Sequence, residues 1–276
     1  AAISACKSAV ARHPNVARLE FQLGRSLDNA ENYDEALKWY RAAAARGSAI
    51  AMHNIGNKYA SGKGVTKNAE IAVSWYQKAV DAGNATGMTS LGFMYQSGAG
   101  VPKDPEKAAG LYRSAIALGS ARSMSNLGQM LRKGEGVAKD EAEGVSLIQR
   151  AAEMNDDRAL TRLGWMYQQG DGVAQNAAKA AELYERSANL GNSQSMINLG
   201  VSYRQGKGVA QDDQTALNWF RKAADLDHLW GAYHVGWAYA NGRGVAKNIP
   251  KALEWYEKAA ELGNGRAMAS IGYHLE

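Results

Sequence analysis

A glycine that follows Leu, Ile or Val recurs at a fixed interval, and it constrains the fold more than any other feature of the sequence. The positions are Gly24, Gly56, Gly92, Gly128, Gly164, Gly200, Gly236 and Gly272. The first step is 32 residues and every later step is 36 residues. A period of this length is typical of repeat proteins, in which each unit buries its apolar face against its neighbours.

Two further sequence columns keep the same register as the glycine. One is a Gly-x-Gly-Val segment whose valines are Val65, Val101, Val137, Val173, Val209 and Val245. The other is a pair of large apolar residues that ends at Tyr40, Tyr76, Tyr112, Ile148, Tyr184, Phe220 and Tyr256. The Gly-x-Gly segments follow no predicted strand, so we interpret them as structural turns rather than as phosphate-binding loops. Three columns in one register establish a true internal repeat.

Each repeat predicts two helices joined by short turns, because apolar residues recur at helical spacing and good N-cap residues precede them. The caps predicted for the first helices are Ser48, Asn84, Ser120, Asp156, Asn192 and Asn264. Those predicted for the second helices are Asn68, Asp104, Asp140, Asn176, Asp212 and Asn248. We therefore predict an all-α fold, a right-handed α/α superhelical solenoid of antiparallel helix pairs. Because glycine is a poor helix former, we expect an aromatic ring of a neighbouring helix to lie against each recurrent glycine.

The combined pattern closely resembles the Sel1-like repeat, a longer relative of the tetratricopeptide repeat, and Phe93–Gly119 and Val201–Leu226 carry it clearly. We predict a single array over 1–276 that contains six 36-residue repeats over 48–262. Residues 16–46 form a tetratricopeptide-like unit, because the turn from Asp28 to Ala36 is shorter than the Gly-x-Gly-Val loop. Residues 3–13 are predicted to be a helix without its partner, and 265–276 to be a first helix without its second.

The resemblance implies a non-enzymatic scaffold or adaptor for protein–protein interaction, as in bacterial signalling, envelope biogenesis and secretion. The array is predicted to begin and end within a repeat. Such ends favour weak self-association, and they leave open that the array is the interaction region of a larger protein. The bacterial periplasm and the cytoplasm both remain open, with the periplasm favoured. The histidines lack metal-ligand spacing and no catalytic constellation is evident, so we predict no cofactor, metal or catalytic residue.

Composition narrows the classes of partner. A net charge of +5 over 276 residues is too small and too dispersed to favour nucleic acid. The apolar runs are shorter than the roughly 20 residues that a membrane-spanning helix needs, so we predict no membrane insertion. Cysteine-rich relatives with a disulfide in each repeat have been linked to cell-wall precursors. The single Cys6 weakens that link, so binding or hydrolysis of a cell-wall precursor or another small ligand is retained only as the alternative function.

The candidate binding residues are those that vary between repeats on the first helix, which lines the concave face in tetratricopeptide proteins. Aromatic and arginine side chains are enriched at binding hot spots. The predicted partner-binding residues are Phe93, Arg122, Arg132, Arg158, Trp165, Arg204, Trp230, Tyr233 and Trp237. We expect the ligand to be a peptide or helix, and the arginines favour an acidic or C-terminal carboxylate feature on it.

Overall fold

The structure is a computed structural model that describes residues 2–275, and over this range it contains 16 α-helices and no strand. The helices are α1 (Ala2–Arg12), α2 (Ala17–Asn29), α3 (Tyr33–Ala45), α4 (Ala49–Ser61), α5 (Ala69–Asp81), α6 (Ala85–Ser97), α7 (Pro105–Ala117), α8 (Ala121–Lys133), α9 (Glu141–Glu153), α10 (Asp157–Gln169), α11 (Ala177–Asn189), α12 (Ser193–Gln205), α13 (Asp213–Asp225), α14 (Leu229–Asn241), α15 (Ile249–Glu261) and α16 (Gly265–Leu275). The predicted all-α class is confirmed.

The helices form two compact units, Ala1–Gly144 and Val145–Glu276, with the boundary inside α9. In the first unit α2 packs on α3, α4 on α5 and α6 on α7. In the second unit α10 packs on α11, α12 on α13 and α14 on α15. Each second helix also contacts the next first helix within its unit, as α13 contacts α14. Short turns between neighbours make consecutive helices antiparallel, so each unit is a stack of helix pairs.

The helix starts follow the predicted capping columns. The side-chain oxygen of each cap accepts a hydrogen bond from a backbone N–H in the first helical turn, which satisfies one of the unpaired donors there. First helices are capped in this way by Ser48, Asn84, Ser120, Asp156, Asn192 and Asn264. Second helices are capped by Asn68, Asp104, Asp140, Asn176, Asp212 and Asn248. The predicted caps are confirmed, and His228 begins α14 by accepting from the backbone N–H of Trp230.

The recurrent glycine lies where a ring of the following helix crosses the first helix. A methyl group on Gly164 would lie 2.7 Å from Cε1 of Tyr184, and one on Gly200 would lie 2.5 Å from Cε1 of Phe220. The same arrangement holds at Gly24, Gly56, Gly92 and Gly236. The expected contact between aromatic ring and bare helix backbone is therefore confirmed at these six positions.

The Gly-x-Gly-Val segment needs its glycines for two reasons. Gly98 ends α6 in the left-handed conformation, at φ 74°, which glycine adopts without steric cost. Gly100 is also left-handed, and a methyl group there would lie 2.5 Å from the carbonyl carbon of Ala69 at the start of α5. The loop after α6 thus lies directly on the start of the preceding second helix, and the interpretation of a structural turn accounts for both glycines.

The helix bounds lie close to the predicted divisions. The isolated helix predicted at 3–13 corresponds to α1, and the unit predicted at 16–46 contains α2 and α3. The helix predicted at 265–276 corresponds to α16, although residue 276 lies outside the described residues. Two parts of the predicted organisation stay predictions: the single array over 1–276 and the division of 48–262 into six separate repeats.

The caps offer a direct test of local stability. Asn176→Ala should lower the free energy of unfolding by about 1 kcal/mol, because Oδ1 of Asn176 accepts from the backbone N–H of Lys179 at 3.0 Å. Asn189→Ala, at the exposed far end of the same helix, should change stability by less than about 0.5 kcal/mol. Urea unfolding of both variants measures the difference, and equal effects would show that this cap contributes nothing particular.

Candidate partner-binding surface

The position directly after the recurrent glycine is accessible in every repeat. None of Arg25, Asn57, Phe93, Gln129, Trp165, Val201, Trp237 and Tyr273 is buried. Phe93 and Trp165 are 54% and 47% exposed, which is unusual for side chains of this size. The first-helix column selected from the sequence therefore presents varied residues at the surface of each compact unit.

The three predicted residues of the first unit differ in their surroundings. Phe93 on α6 is exposed, and Arg122 on α8 is half-buried. Arg132, near the end of α8, has a side chain only 9% exposed, and its guanidinium lies 3.6 Å from the carboxylate of Glu141. Its side chain also packs against Gly144 of α9. Arg132 therefore offers little surface to a ligand, and it is not part of the site proposed below.

The second unit contains the other six predicted residues, and α14 holds three of them. Trp230, Tyr233 and Trp237 are half-buried and pack against the hydrophobic core of that unit. The rings of Trp230 and Tyr233 meet edge to face, with centroids 5.7 Å apart. This packing holds the α14 rings in fixed orientations while part of each remains accessible. Arg158 and Trp165 are exposed together on α10, seven residues apart and thus on one helix face.

A cleft of about 420 Å³ lies beside the α14 rings. Its lining consists of Arg204, Gln205, Gln211, Asp213, Tyr233, His234, Trp237 and Arg243. The guanidinium of Arg204 lies over the ring of Trp237, 5.0 Å from its centroid. Nη1 of Arg204 also lies 3.4 Å from Nδ1 of His234. The predicted residues Arg204, Tyr233 and Trp237 are therefore brought together in one concave site.

A second cleft of about 410 Å³ lies on the other side of Tyr233 and Trp237. Arg266, Tyr273 and His274 of α16 contribute to its lining, together with Tyr256 of α15. Arg266 stacks over the ring of Trp230, with its guanidinium carbon 5.4 Å from the centroid. The two clefts thus share an aromatic wall, and each has an arginine placed beside a tryptophan.

The electrostatics of the first cleft are set by burial. Desolvation, together with the charges of the neighbouring Arg204 and His228, lowers the pKa of His234 to about 3. The His234 ring is therefore neutral at physiological pH, and it stacks on Phe220 with centroids 4.6 Å apart. Desolvation also lowers the pKa of Arg204 from its ordinary value, although the guanidinium remains charged. The cleft thus contains a partly desolvated cation beside a neutral imidazole.

Sequence reasoning missed His234, Asp213 and Arg243. His234 lies two residues before the glycine, where several other repeats have small polar residues such as Ser90 and Asn198. The histidine at this position was the available sequence signal. Its role could be recognised only once the structure placed the Phe220 ring beside it. Over residues 2–275 no group of three or more His, Cys, Asp or Glu side chains is placed to hold a metal ion. No helix in the described range is long and apolar enough to cross a bilayer.

Comparisons with known proteins agree with this architecture. The Sel1 repeat family model matches residues 19–48, 49–84, 85–120, 121–156, 157–192, 193–228 and 231–264. The first match includes the unit that resembled a tetratricopeptide repeat in sequence. No match was found among curated proteins. Sel1 repeat proteins generally mediate protein–protein interaction and are generally non-catalytic.

Solved structures give the same result. A Sel1 repeat protein from Oxalobacter formigenes is 33% identical, with a TM-score of 0.71 over 86% of this chain and 98% of that one. A protective antigen of uropathogenic Escherichia coli is 29% identical, with a TM-score of 0.63 over 98% of this chain. The match spans only 58% of the antigen's length. An immunity protein of Pseudomonas aeruginosa, 22% identical with a TM-score of 0.60 over 78% of this chain and 81% of that one, shares the fold. The chain belongs to the Sel1 repeat family, an all-α repeat solenoid fold.

Proposed function

We propose that this chain is a protein-interaction module that binds an extended peptide or a helix of its partner on the first-helix surface of the second unit. We define this surface by Trp165, Arg204, Trp230, Tyr233 and Trp237, with Arg158 at its edge. The single observation that carries the proposal is the shared wall of Tyr233 and Trp237 between two clefts. By resemblance to tetratricopeptide proteins, this surface is the concave one.

The size of the surface favours a polymeric ligand. Each cleft has a volume of about 400 Å³, and the two are separated by the α14 rings. A ligand that contacts both clefts must therefore pass over Tyr233 and Trp237. Neighbouring helices lie roughly 10 Å apart, so contact with Trp165 on α10 as well requires a ligand at least as long as a peptide. Exposed apolar area of this kind is favourable to bury, at about 25 cal/mol per Å².

The proposal is tested with random dodecapeptides displayed on phage and selected against the full chain. We expect selected peptides to bind the Trp165→Ala/Trp237→Ala double variant at least about 30-fold more weakly. Tryptophans that become buried when a ligand binds are typical hot spots. Isothermal titration calorimetry measures the dissociation constants, and circular dichroism melts verify that the variant remains folded.

The matched control is Trp255→Ala, which removes a tryptophan from a second helix of the same unit, where it lies under Lys258. This variant should bind the same peptides within about twofold of the parent, since the proposed surface lies on first helices. Selection that enriches no peptide, or affinity that is unchanged in the double variant, would refute this function. The loops and the second-helix surface would then become the candidates.

A further inference from the structure

The residue four positions after the recurrent glycine has the same structural role in three repeats. In the first of them, Oδ2 of Asp28 accepts a hydrogen bond from the hydroxyl of Tyr40 at 3.1 Å. Oε1 of Gln96 accepts a hydrogen bond from the hydroxyl of Tyr112 at 2.9 Å. Oε1 of Gln168 accepts from the hydroxyl of Tyr184 at 2.8 Å. A buried hydroxyl without a partner is costly, so a glutamine at this position stabilises the tyrosine ring that crosses the glycine.

The repeat that contains α12 and α13 lacks this pair. Phe220 fills the ring position against Gly200, and phenylalanine has no hydroxyl to satisfy. Arg204 stands at the position that Gln96 and Gln168 occupy in two other repeats. The arginine therefore has no structural hydrogen bond to make with the crossing ring. Its guanidinium instead lies in the cleft, over Trp237 and beside His234.

Arg204 makes no ion pair within the described part of the chain, although the carboxylate of Asp213 across the cleft partly offsets its charge. No carboxylate in the described part of the chain lies within ion-pair distance of its guanidinium. The carboxylate of Asp213, which also lines the cleft, is 3.3 Å from the guanidinium of Arg243. Since arginine only donates, the contact with His234 uses Nδ1 of the neutral ring as acceptor. The remaining N–H donors are available to a planar acceptor, and a carboxylate matches that geometry.

We propose that Arg204 is the specificity-determining residue of this surface and binds a carboxylate of the partner peptide, beside an apolar residue that packs on Tyr233 and Trp237. This inference rests on the proposed function and adds the chemistry of its ligand. The guanidinium lies over the ring of Trp237, 5.0 Å from its centroid, and its planar fork of donors matches the two oxygens of one carboxylate. The carboxylate has two potential sources, an Asp or Glu side chain and a peptide C-terminus.

The test uses two random dodecapeptide libraries displayed on phage. In the first, both ends of the peptide are joined to phage protein or linker, so that no free C-terminus is present. In the second, the C-terminus is free. The parent chain should enrich Asp or Glu next to an apolar residue in the first library if a side chain supplies the carboxylate. If the peptide terminus supplies it, enrichment should occur only in the second library, and amidation of the synthetic peptide should abolish binding. Either pattern supports the proposal and identifies the source.

The decisive variant is Arg204→Gln/Phe220→Tyr, which rebuilds the glutamine–tyrosine pair found in two other repeats and should therefore preserve the fold. Selected peptides should bind this variant about 10-fold to 100-fold more weakly, as expected for loss of charge-assisted hydrogen bonds. Peptides in which the acidic residue is replaced by its amide should bind the parent and the variant with equal affinity. Arg113→Gln removes the same charge from an exposed position on α7 and should leave affinity within about twofold.

Two other outcomes separate this inference from the proposed function. Peptides that depend on Trp237 but show neither an acidic residue nor a need for a free C-terminus would overturn the carboxylate proposal and leave the function standing. An unchanged affinity in the Arg204→Gln/Phe220→Tyr variant would do the same. If no peptide is enriched from either library, both the function and the inference fail.

Discussion

Gly92→Leu should lower the free energy of unfolding by about 1–3 kcal/mol, because the added side chain must displace a buried ring. A methyl group alone at this position would lie 2.7 Å from Cε1 and 3.0 Å from Cδ1 of Tyr112. Tyr112 is fully buried and its hydroxyl is bonded to Gln96, so it has no empty space into which to move. The helices α6 and α7 would have to separate to admit the leucine.

The matched control is Gly110→Leu on α7, the second helix of the same pair. Gly110 is exposed, and a methyl group there would meet nothing within 4 Å. Leucine has a higher helix propensity than glycine, so this variant should gain up to about 0.8 kcal/mol. Thermal and urea unfolding of the two variants should therefore shift in opposite directions. A Gly92→Leu variant as stable as the parent would show that the recurrent glycine is not required by the crossing ring.

The fold was predictable because the same physical demand recurs in most of the repeats. A glycine in mid-helix is unfavourable, so its recurrence at Gly92 and Gly164 indicated a close contact, and the tyrosines one helix later supplied the ring. The cap residues were readable for a similar reason, since an Asn or Asp before an apolar periodic segment has few other structural explanations. The division into two compact units was not readable, because the repeat continues through α9 without a break in spacing.

The candidate site was less predictable, because the accessibility of each side chain depends on the residues that pack around it and not on its position within the repeat. Arg132 and Arg204 occupy the same position in their repeats, four residues after the glycine. Arg132 is almost fully buried beside Glu141, whereas Arg204 lies in an open cleft over Trp237. A column of variable residues thus indicates where a surface can differ. The residues of the next helix determine whether a particular side chain reaches solvent.

Acidification should destabilise the second unit through His234. Its pKa in the folded chain is about 3, compared with an ordinary value of 6.5, because burial and the charge of Arg204 disfavour the imidazolium. The charged and titratable groups around this ring are Arg204 from α12, Asp213 from α13, His228 before α14, Tyr233 on α14 itself and Arg243 after it. Between pH 6.5 and pH 3 the unfolded chain therefore binds a proton at this residue that the folded chain does not. The contribution of neutral His234 to stability is complete above pH 6.5 and is lost as the pH falls toward 3.

The slope for this one residue approaches that of one full proton only below about pH 6, so a change from pH 6.5 to pH 4.5 should cost about 2 kcal/mol. His234→Asn introduces the residue found at the same position in the repeat of α12, Asn198, and removes the titrating group. Urea unfolding of parent and variant at a series of pH values isolates the effect, because every other titrating residue is common to both. The difference in unfolding free energy between the two proteins should vary with pH below 6.5 and be constant above it. Burial of His53 also lowers its pKa, so the variant should retain part of the acid dependence. A difference that is independent of pH from 7 to 4 would show that the His234 ring is protonated in the folded state as readily as in the unfolded state. The buried stacking of His234 on Phe220 would then be contradicted.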